Sequence, residues 1–174
     1  EELSGKSYEQ EALSMRIIAD HLRAAVFLAV DGVVPSNTKQ GYVMRRILRR
    51  AIRQGLALGL SDNFLGDITK LIAGLYRDDY PEIAKHEEDI IRTLMQEEKQ
   101  FRHTLERGLK EFEKLTSESG SLDGNAIFVL SDTYGFPHEL SLEEAEVRNI
   151  KLSENWKAEF DALLAEQKER SRTA

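Results

Sequence analysis

The segment Tyr42-Val43-Met44-Arg45-Arg46-Ile47-Leu48-Arg49-Arg50-Ala51-Ile52-Arg53 carries the strongest chemical signal in this sequence. At about 100° per residue, an α-helix through it gathers its arginines within an arc of roughly 140°. Met44, Ile47, Leu48, Ala51 and Ile52 fall on the opposite arc, so one face is apolar and the other presents guanidinium forks. Like charges packed this closely repel unless something negative lies opposite. Phosphate is a natural partner, because the planar fork matches its oxygens two at a time. Such a face binds a nucleic-acid backbone with steep salt dependence, since each neutralised phosphate releases condensed counterions. Lys39, Arg45, Arg46, Arg49, Arg50 and Arg53 are therefore candidate backbone-binding residues. Carboxylates on another helix are the alternative partner, because the chain has 31 Asp and Glu. Charge alone does not say which nucleic acid would be bound.

The rest of the chain sharpens the contrast. Net charge is −7, yet Gly32 to Ser61 holds no Asp or Glu and carries +6, leaving −13 on the other residues. Such sign asymmetry in an acidic chain points to a dedicated basic surface. Other chemistries are poorly served. There is no Gly-rich phosphate cradle and no nucleophile with a plausible base. His21, His86, His103 and His138 are scattered, and the absence of cysteine excludes disulfides and thiolate metal sites. The pairs Glu97-Glu98 and Glu143-Glu144 read as solvated helix faces. No apolar run approaches the roughly 20 residues that span a bilayer, and no secretory signal opens the chain. A cysteine-free composition fits a reducing cytoplasm. A chain that starts at Glu1 and stops within a charged helical pattern is expected to be a piece of a longer protein.

The elements that must position these residues are predicted to be helices, in an all-α fold. Ser7 with Gln10 forms a capping box that opens a helix over about 8–30, closed by Asp31-Gly32. A loop with Pro35-Ser36-Asn37 leads to a helix over about 41–58, and a third runs over about 63–76. From Pro81, a helix start, the apolar positions Ile83, Ile90, Leu94, Phe101, Leu105, Leu109 and Phe112 recur without interruption, predicting one long helix over about 81–115. Its spacing is too irregular for a coiled coil. Residues 117–121 (Ser-Glu-Ser-Gly-Ser) read as a linker between helical subdomains over 1–116 and 122–174. Residues 125–131 are an apolar run ambiguous between helix and strand. Asp132-Thr133-Tyr134-Gly135-Phe136-Pro137 is a turn. Ser141 and Glu144 form a second capping box, and Ser153 caps a last helix to about 170.

Several blocks along the chain resemble the alanyl-tRNA synthetase family, of the class II aminoacyl-tRNA synthetases. They are Arg16-Ile17-Ile18-Ala19-Asp20-His21, Phe27 through Asn37, Gly41 through Ala51, Thr104-Leu105-Glu106-Arg107-Gly108, and the Asp132–Pro137 turn. They occur in the family's order over almost the whole chain, where they are similar to the helical, tRNA-recognising middle region that follows the catalytic domain. The resemblance implies recognition of the tRNA(Ala) acceptor stem through a G·U wobble at its third base pair. The family's reading residues, an Asn in the Pro-Ser-Asn loop and an Asp opening the Asp-Thr-Tyr-Gly-Phe-Pro turn, carry over to Asn37 and Asp132. The chemistry suits them. The A-form minor groove is wide and shallow, a carboxylate accepts from the guanine 2-amino group, and an amide both donates and accepts. Gln40 departs from the family, many of whose members have an arginine there.

The resemblance also implies what lies elsewhere. The parent is expected to be an alanine–tRNA ligase of protein biosynthesis, using ATP and Mg²⁺ in a pocket upstream, with an editing domain and a zinc-binding motif downstream. This chain is expected to hold no cofactor of its own and to be inactive alone. Its expected partners are the tRNA(Ala) acceptor stem and the catalytic domain of its parent, in the cytoplasm, with neither DNA nor a membrane. Two other readings stand beside it: a helical protein-interaction domain whose arginine face docks an acidic partner, and a stand-alone helical homologue that binds other RNAs. Single residues have plainer readings too. Asn37 suits a turn, Asp132 a helix end or a turn, Tyr134 and Phe136 suit packing, and Tyr42 suits the core as well as an RNA backbone.

Overall fold

The computed structural model describes residues 1–173, with side chains at all of them except 118 and 171–173. It is all-α: helices account for every element except one pair of two-residue strands. The helices are α1 (Tyr8–Val30), α2 (Lys39–Ala57), α3 (Phe64–Tyr76), α4 (Pro81–Lys85), α5 (Glu87–Ser119), α6 (Gly124–Asp132), α7 (His138–Val147) and α8 (Trp156–Thr173). The strands are β1 (Ser121–Leu122) and β2 (Lys151–Leu152), paired in parallel with Ser121 opposite Lys151. Among the described residues, no helix is long and apolar enough to cross a membrane.

The chain separates into two compact units, one of residues 1–102 and one from His103 onward, with the division inside α5. In the first unit α1 packs chiefly against α2 and touches α3 and α4. Its apolar stripes supply Leu22, Val26, Met44, Leu48, Ile52, Leu65, Ile83 and Leu94 to the core. The glycine at 55 lets the Phe64 ring lie where a side chain would stand: an added Cβ would be 2.4 Å from it. In the second unit α6 packs on α8 and α7, and Leu122, Ile127, Leu130 and Phe136 are fully buried. Asp123 accepts from the Ala126 amide at 2.7 Å and Glu159 from the Gly124 amide at 3.0 Å, so two carboxylates satisfy the orphan donors that open α6.

Several expectations change. The single helix over 81–115 is broken at His86, whose φ of −111° and ψ of 12° leave the helical region; α5 starts at Glu87 and continues to Ser119. Apolar spacing is blind to this break, because Ile83 and Ile90 are both buried on either side of it. The Ser117–Ser121 stretch is the end of α5, a turn at Gly120 (φ 69°) and the start of β1. The ambiguous run at 125–131 is helical, within α6. Ser7 does occupy the N-cap of α1, but its side chain makes no cap bond; the Glu1 carboxylate accepts from the Tyr8 amide at 2.6 Å instead. Ser141 and Glu144 do not open the helix. Helix α7 starts three residues earlier, at His138 after Pro137, and both residues are buried within it.

Candidate nucleic-acid interface

The loop before α2 is shaped by one glycine. A Cβ at Gly41 would stand 2.1 Å from Ser36 Oγ and 2.5 Å from the Val34 carbonyl, so only glycine lets the loop fold back onto the first turn of α2. The Ser36 amide donates to the Gly41 carbonyl at 3.0 Å, and Ser36 Oγ donates to the Thr38 carbonyl at 3.0 Å. Lys39, with φ of 50°, turns the chain into the helix. The result lifts Asn37 and Lys39 to the surface, both exposed.

Arg45, two turns along α2, reaches back to this loop. One of its terminal nitrogens donates to Asn37 Oδ1 and the other to the Pro35 carbonyl at 3.3 Å. Its Nε lies 3.4 Å from Glu97 Oε2, an ion-pair contact without aligned hydrogen-bond geometry. Arg49 Nε donates to the other oxygen of Glu97 at 2.9 Å, and its guanidinium lies 4.7 Å from the centre of the Phe101 ring. Glu97 is 4% exposed. It is a buried carboxylate neutralised by two guanidinium groups, the arrangement that compensates the cost of removing such a charge from water. The two remaining candidates nearest solvent on α2, Arg46 and Arg50, are exposed, and Arg53 is half-buried. Tyr42 is exposed rather than part of the core.

Glu97-Glu98 is accordingly not a solvated face. Glu98, 1% exposed, accepts from the amides of Asn63 at 3.0 Å and Leu65 at 3.2 Å, which places a carboxylate at the opening turn of α3. Arg102 donates to it at 3.1 Å and also to the carbonyls of Leu60 at 3.1 Å and Ser61 at 2.8 Å. Burial raises the Glu98 pKa from its ordinary value, against the lowering effect of the Leu65 amide, Arg102 and the Asn63 amide. Glu144 is likewise buried and accepts from Arg148 at 2.6 Å.

In the second unit, Asp132 is the last residue of α6 and exposed, with Gln167 of α8 donating to its Oδ1. The turn after it is fixed by Phe136, which is fully buried and lies against the bare backbone of Gly108, where an added Cβ would come within 2.4 Å of its ring. Phe136 is thus a packing residue. Tyr134 is half-buried, with the Arg107 guanidinium 5.9 Å from its ring centre. The structure therefore groups Asn37 with Arg45 and Arg49 in one unit, and Asp132 stands in the other. The sequence reads Glu97 as part of a solvated helix face and Phe101 as part of an apolar stripe, and it does not single out Gln167; each partners a site residue 35 to 52 positions away, and no local pattern marks one acid among 31. Among the described residues, no group of three or more His, Cys, Asp or Glu is arranged to hold a metal ion.

Comparison with known proteins gives the family. Residues 1–174 match the family described as tRNA synthetases class II (A). The chain is 42% identical to the alanine–tRNA ligase of Thermotoga petrophila over its whole length, and 43% identical over 98% of its length to that of Neisseria meningitidis serogroup C. It is 40% identical over 99% of its length to the alanine–tRNA ligase of Halorhodospira halophila. It spans 20% of the length of the Thermotoga and Halorhodospira enzymes and 19% of the Neisseria enzyme. With its full length matched, the chain belongs to the class II (A) tRNA synthetases, among the alanine–tRNA ligases.

Proposed function

We propose that this chain recognises the acceptor stem of tRNA(Ala) for an alanine–tRNA ligase that charges that tRNA with alanine using ATP. The observation that carries the reading is the Asn37 side chain, exposed on a loop that Gly41 braces and Arg45 holds beside the basic face of α2. An amide held at the rim of a cationic helix can meet base edges while the cations meet phosphates. Lys39, Arg46 and Arg50, with Arg53, contact the RNA backbone. Arg45 and Arg49 belong to the same face, but part of their charge is taken up by Glu97. Asn37 and Asp132 read the G·U wobble at the third pair from the minor groove, where the guanine 2-amino group lacks its Watson–Crick partner. The chain's contribution to the reaction is positioning: it sets the acceptor end for a pocket supplied by other parts of the ligase.

Binding to hairpin RNAs that carry the acceptor stem tests this. A stem with the wobble is expected to bind more tightly than the same stem with G·C, and Asn37→Ala or Asp132→Ala to narrow that difference. Equal competition by the two stems at every salt concentration would remove the basis of the reading. The pairing of Glu97 with Arg45 and Arg49 gives a specific reason to consider a second reading, an acidic polypeptide docked on α2. That reading predicts that a Glu-rich peptide displaces either stem at equimolar concentration.

A further inference from the structure

We propose that Glu97 is a positioning residue for base reading: through Arg45 it fixes the Asn37 carboxamide so that Asn37 acts as a hydrogen-bond donor. The proposal rests on the acceptor-stem reading above and goes beyond it in saying which half of the amide meets RNA, and why.

An asparagine carboxamide offers an oxygen that accepts and an NH₂ that donates, and an unrestrained one presents either by rotating about its last bond. Arg45 removes that freedom. A guanidinium has donors only, so the amide group facing it must be the oxygen, and Arg45 donates to Asn37 Oδ1. The same guanidinium holds the Pro35 carbonyl at 3.3 Å, so backbone and side chain of the loop are gripped together. The NH₂ of Asn37 is left directed away from Arg45, on an exposed residue.

Arg45 in turn does not choose its own position. Its Nε is buried and lies 3.4 Å from the Glu97 carboxylate, whose other oxygen is anchored by Arg49 at 2.9 Å. Glu97 stands on α5, a separate element, and is nearly sealed from water. A charge buried this way is committed to its partners, because water cannot replace them. Without it, Arg45 and Arg49, one helical turn apart on the same face, would repel each other and seek phosphate or solvent. Asn37 would then be free to rotate. The ligand atom that Asn37 recognises is therefore an acceptor on the minor-groove edge, such as uridine O2 in a wobble pair, and the complementary acceptor role falls to the carboxylate of Asp132.

Two measurements on this chain test the proposal. The first uses no RNA: the order parameter of the Asn37 side-chain amide by ¹⁵N relaxation. It is expected near the rigid value of about 0.85 in the wild type and below about 0.6 in Glu97→Gln. The second compares affinity for the G·U stem, the G·C stem, and a G·U stem whose uridine is 2-thiouridine, which has a poor acceptor at position 2. Wild type is expected to favour the G·U stem over the thio stem by about fivefold, the worth of one hydrogen bond, and Glu97→Gln to lose that ratio. Affinity for the G·C stem is expected to change less than twofold. If Glu97→Gln does not fold by circular dichroism, Arg45→Lys serves, since lysine keeps the charge but lacks the fork. An amide equally ordered in wild type and variant, or discrimination kept in the variant, overturns the role of Glu97. A wild type with an ordered amide that fails to distinguish G·U from G·C instead overturns the acceptor-stem reading, and with it the donor role in RNA.

Discussion

Glu97 and Glu98 are adjacent in sequence, yet their buried carboxylates serve different elements: Glu97 takes the Arg45 and Arg49 guanidinium groups of α2, and Glu98 takes the opening amides of α3. Two successive acids on α5 thus hold the basic helix and its successor. This predicts distinct consequences when each is changed.

Neutralising Glu98 should show in the pH dependence of stability. Burial raises its folded-state pKa above the ordinary 4.5, so the folded chain holds this proton more tightly than the unfolded one. Its contribution is fully present below the unfolded value and is lost as pH rises through the raised folded value. Glu98→Gln cannot titrate. Urea unfolding at a series of pH values should show wild type losing stability relative to Glu98→Gln as pH climbs above 4.5. A constant difference across that range would contradict the assignment.

Gly41→Ala should displace the Pro35-Ser36-Asn37 loop, because the new methyl carbon would lie 2.1 Å from Ser36 Oγ and 2.5 Å from the Val34 carbonyl. Overpacking of this kind costs about 1–3 kcal/mol. Unfolding in urea measures the loss. The same variant should narrow the preference for the wobble stem, since Asn37 rides on the displaced loop.

Asn37→Asp should bind the wobble stem more weakly than Asn37→Ala does. Arg45 would keep one carboxylate oxygen, and the other would present negative charge to acceptor atoms and phosphates. Equal affinities for the two variants in a titration would argue that Asn37 does not face the RNA.

Arg46→Ala and Arg50→Ala should each weaken wobble and G·C stems alike. Each lost phosphate contact should also reduce the slope of log affinity against log salt by about 0.9. A variant that changes the ratio between stems while leaving the slope intact would reassign that residue from backbone contact to base reading.

Gly108→Ala should destabilise the second unit by about 1–3 kcal/mol, as its Cβ would intrude on a ring with no room to move. The added carbon would come 2.4 Å from Phe136 Cδ2, and Phe136 is fully buried. Amide exchange should show the loss concentrated in α6, α7 and the turn between them.

Local rules made much of this fold readable in advance. Tyr8–Val30 was legible from the Ser7 start and the Asp31-Gly32 stop, and the two-faced α2 from its 3.6-residue period. The break at His86 was hidden because the apolar period continues past it. Burial of Glu97 and Glu98 was hidden for another reason, since all the donors that make it tolerable, Arg102 excepted, lie 33 to 52 residues away along the chain. The β1–β2 pairing has two residues a side, too few for any alternation to register. Within the site, the arginine row and Asn37 could be named from residue type and resemblance. The grip of Arg45 on Asn37 could not, because it depends on the Gly41 fold-back and on a carboxylate from α5.

The small ladder between β1 and β2 has a mechanical meaning for the second unit. Ser121 and Lys151 are neighbours across it, at the roughly 4.8 Å separation of paired strands. The stretch from α6 to α7, including Asp132, therefore leaves and returns at one point, like a closed circuit. Its far side is the turn that Phe136 pins beside Gly108, so residues inserted there would have to displace a fully buried ring, and Asp132 with its tether to Gln167 would move with it.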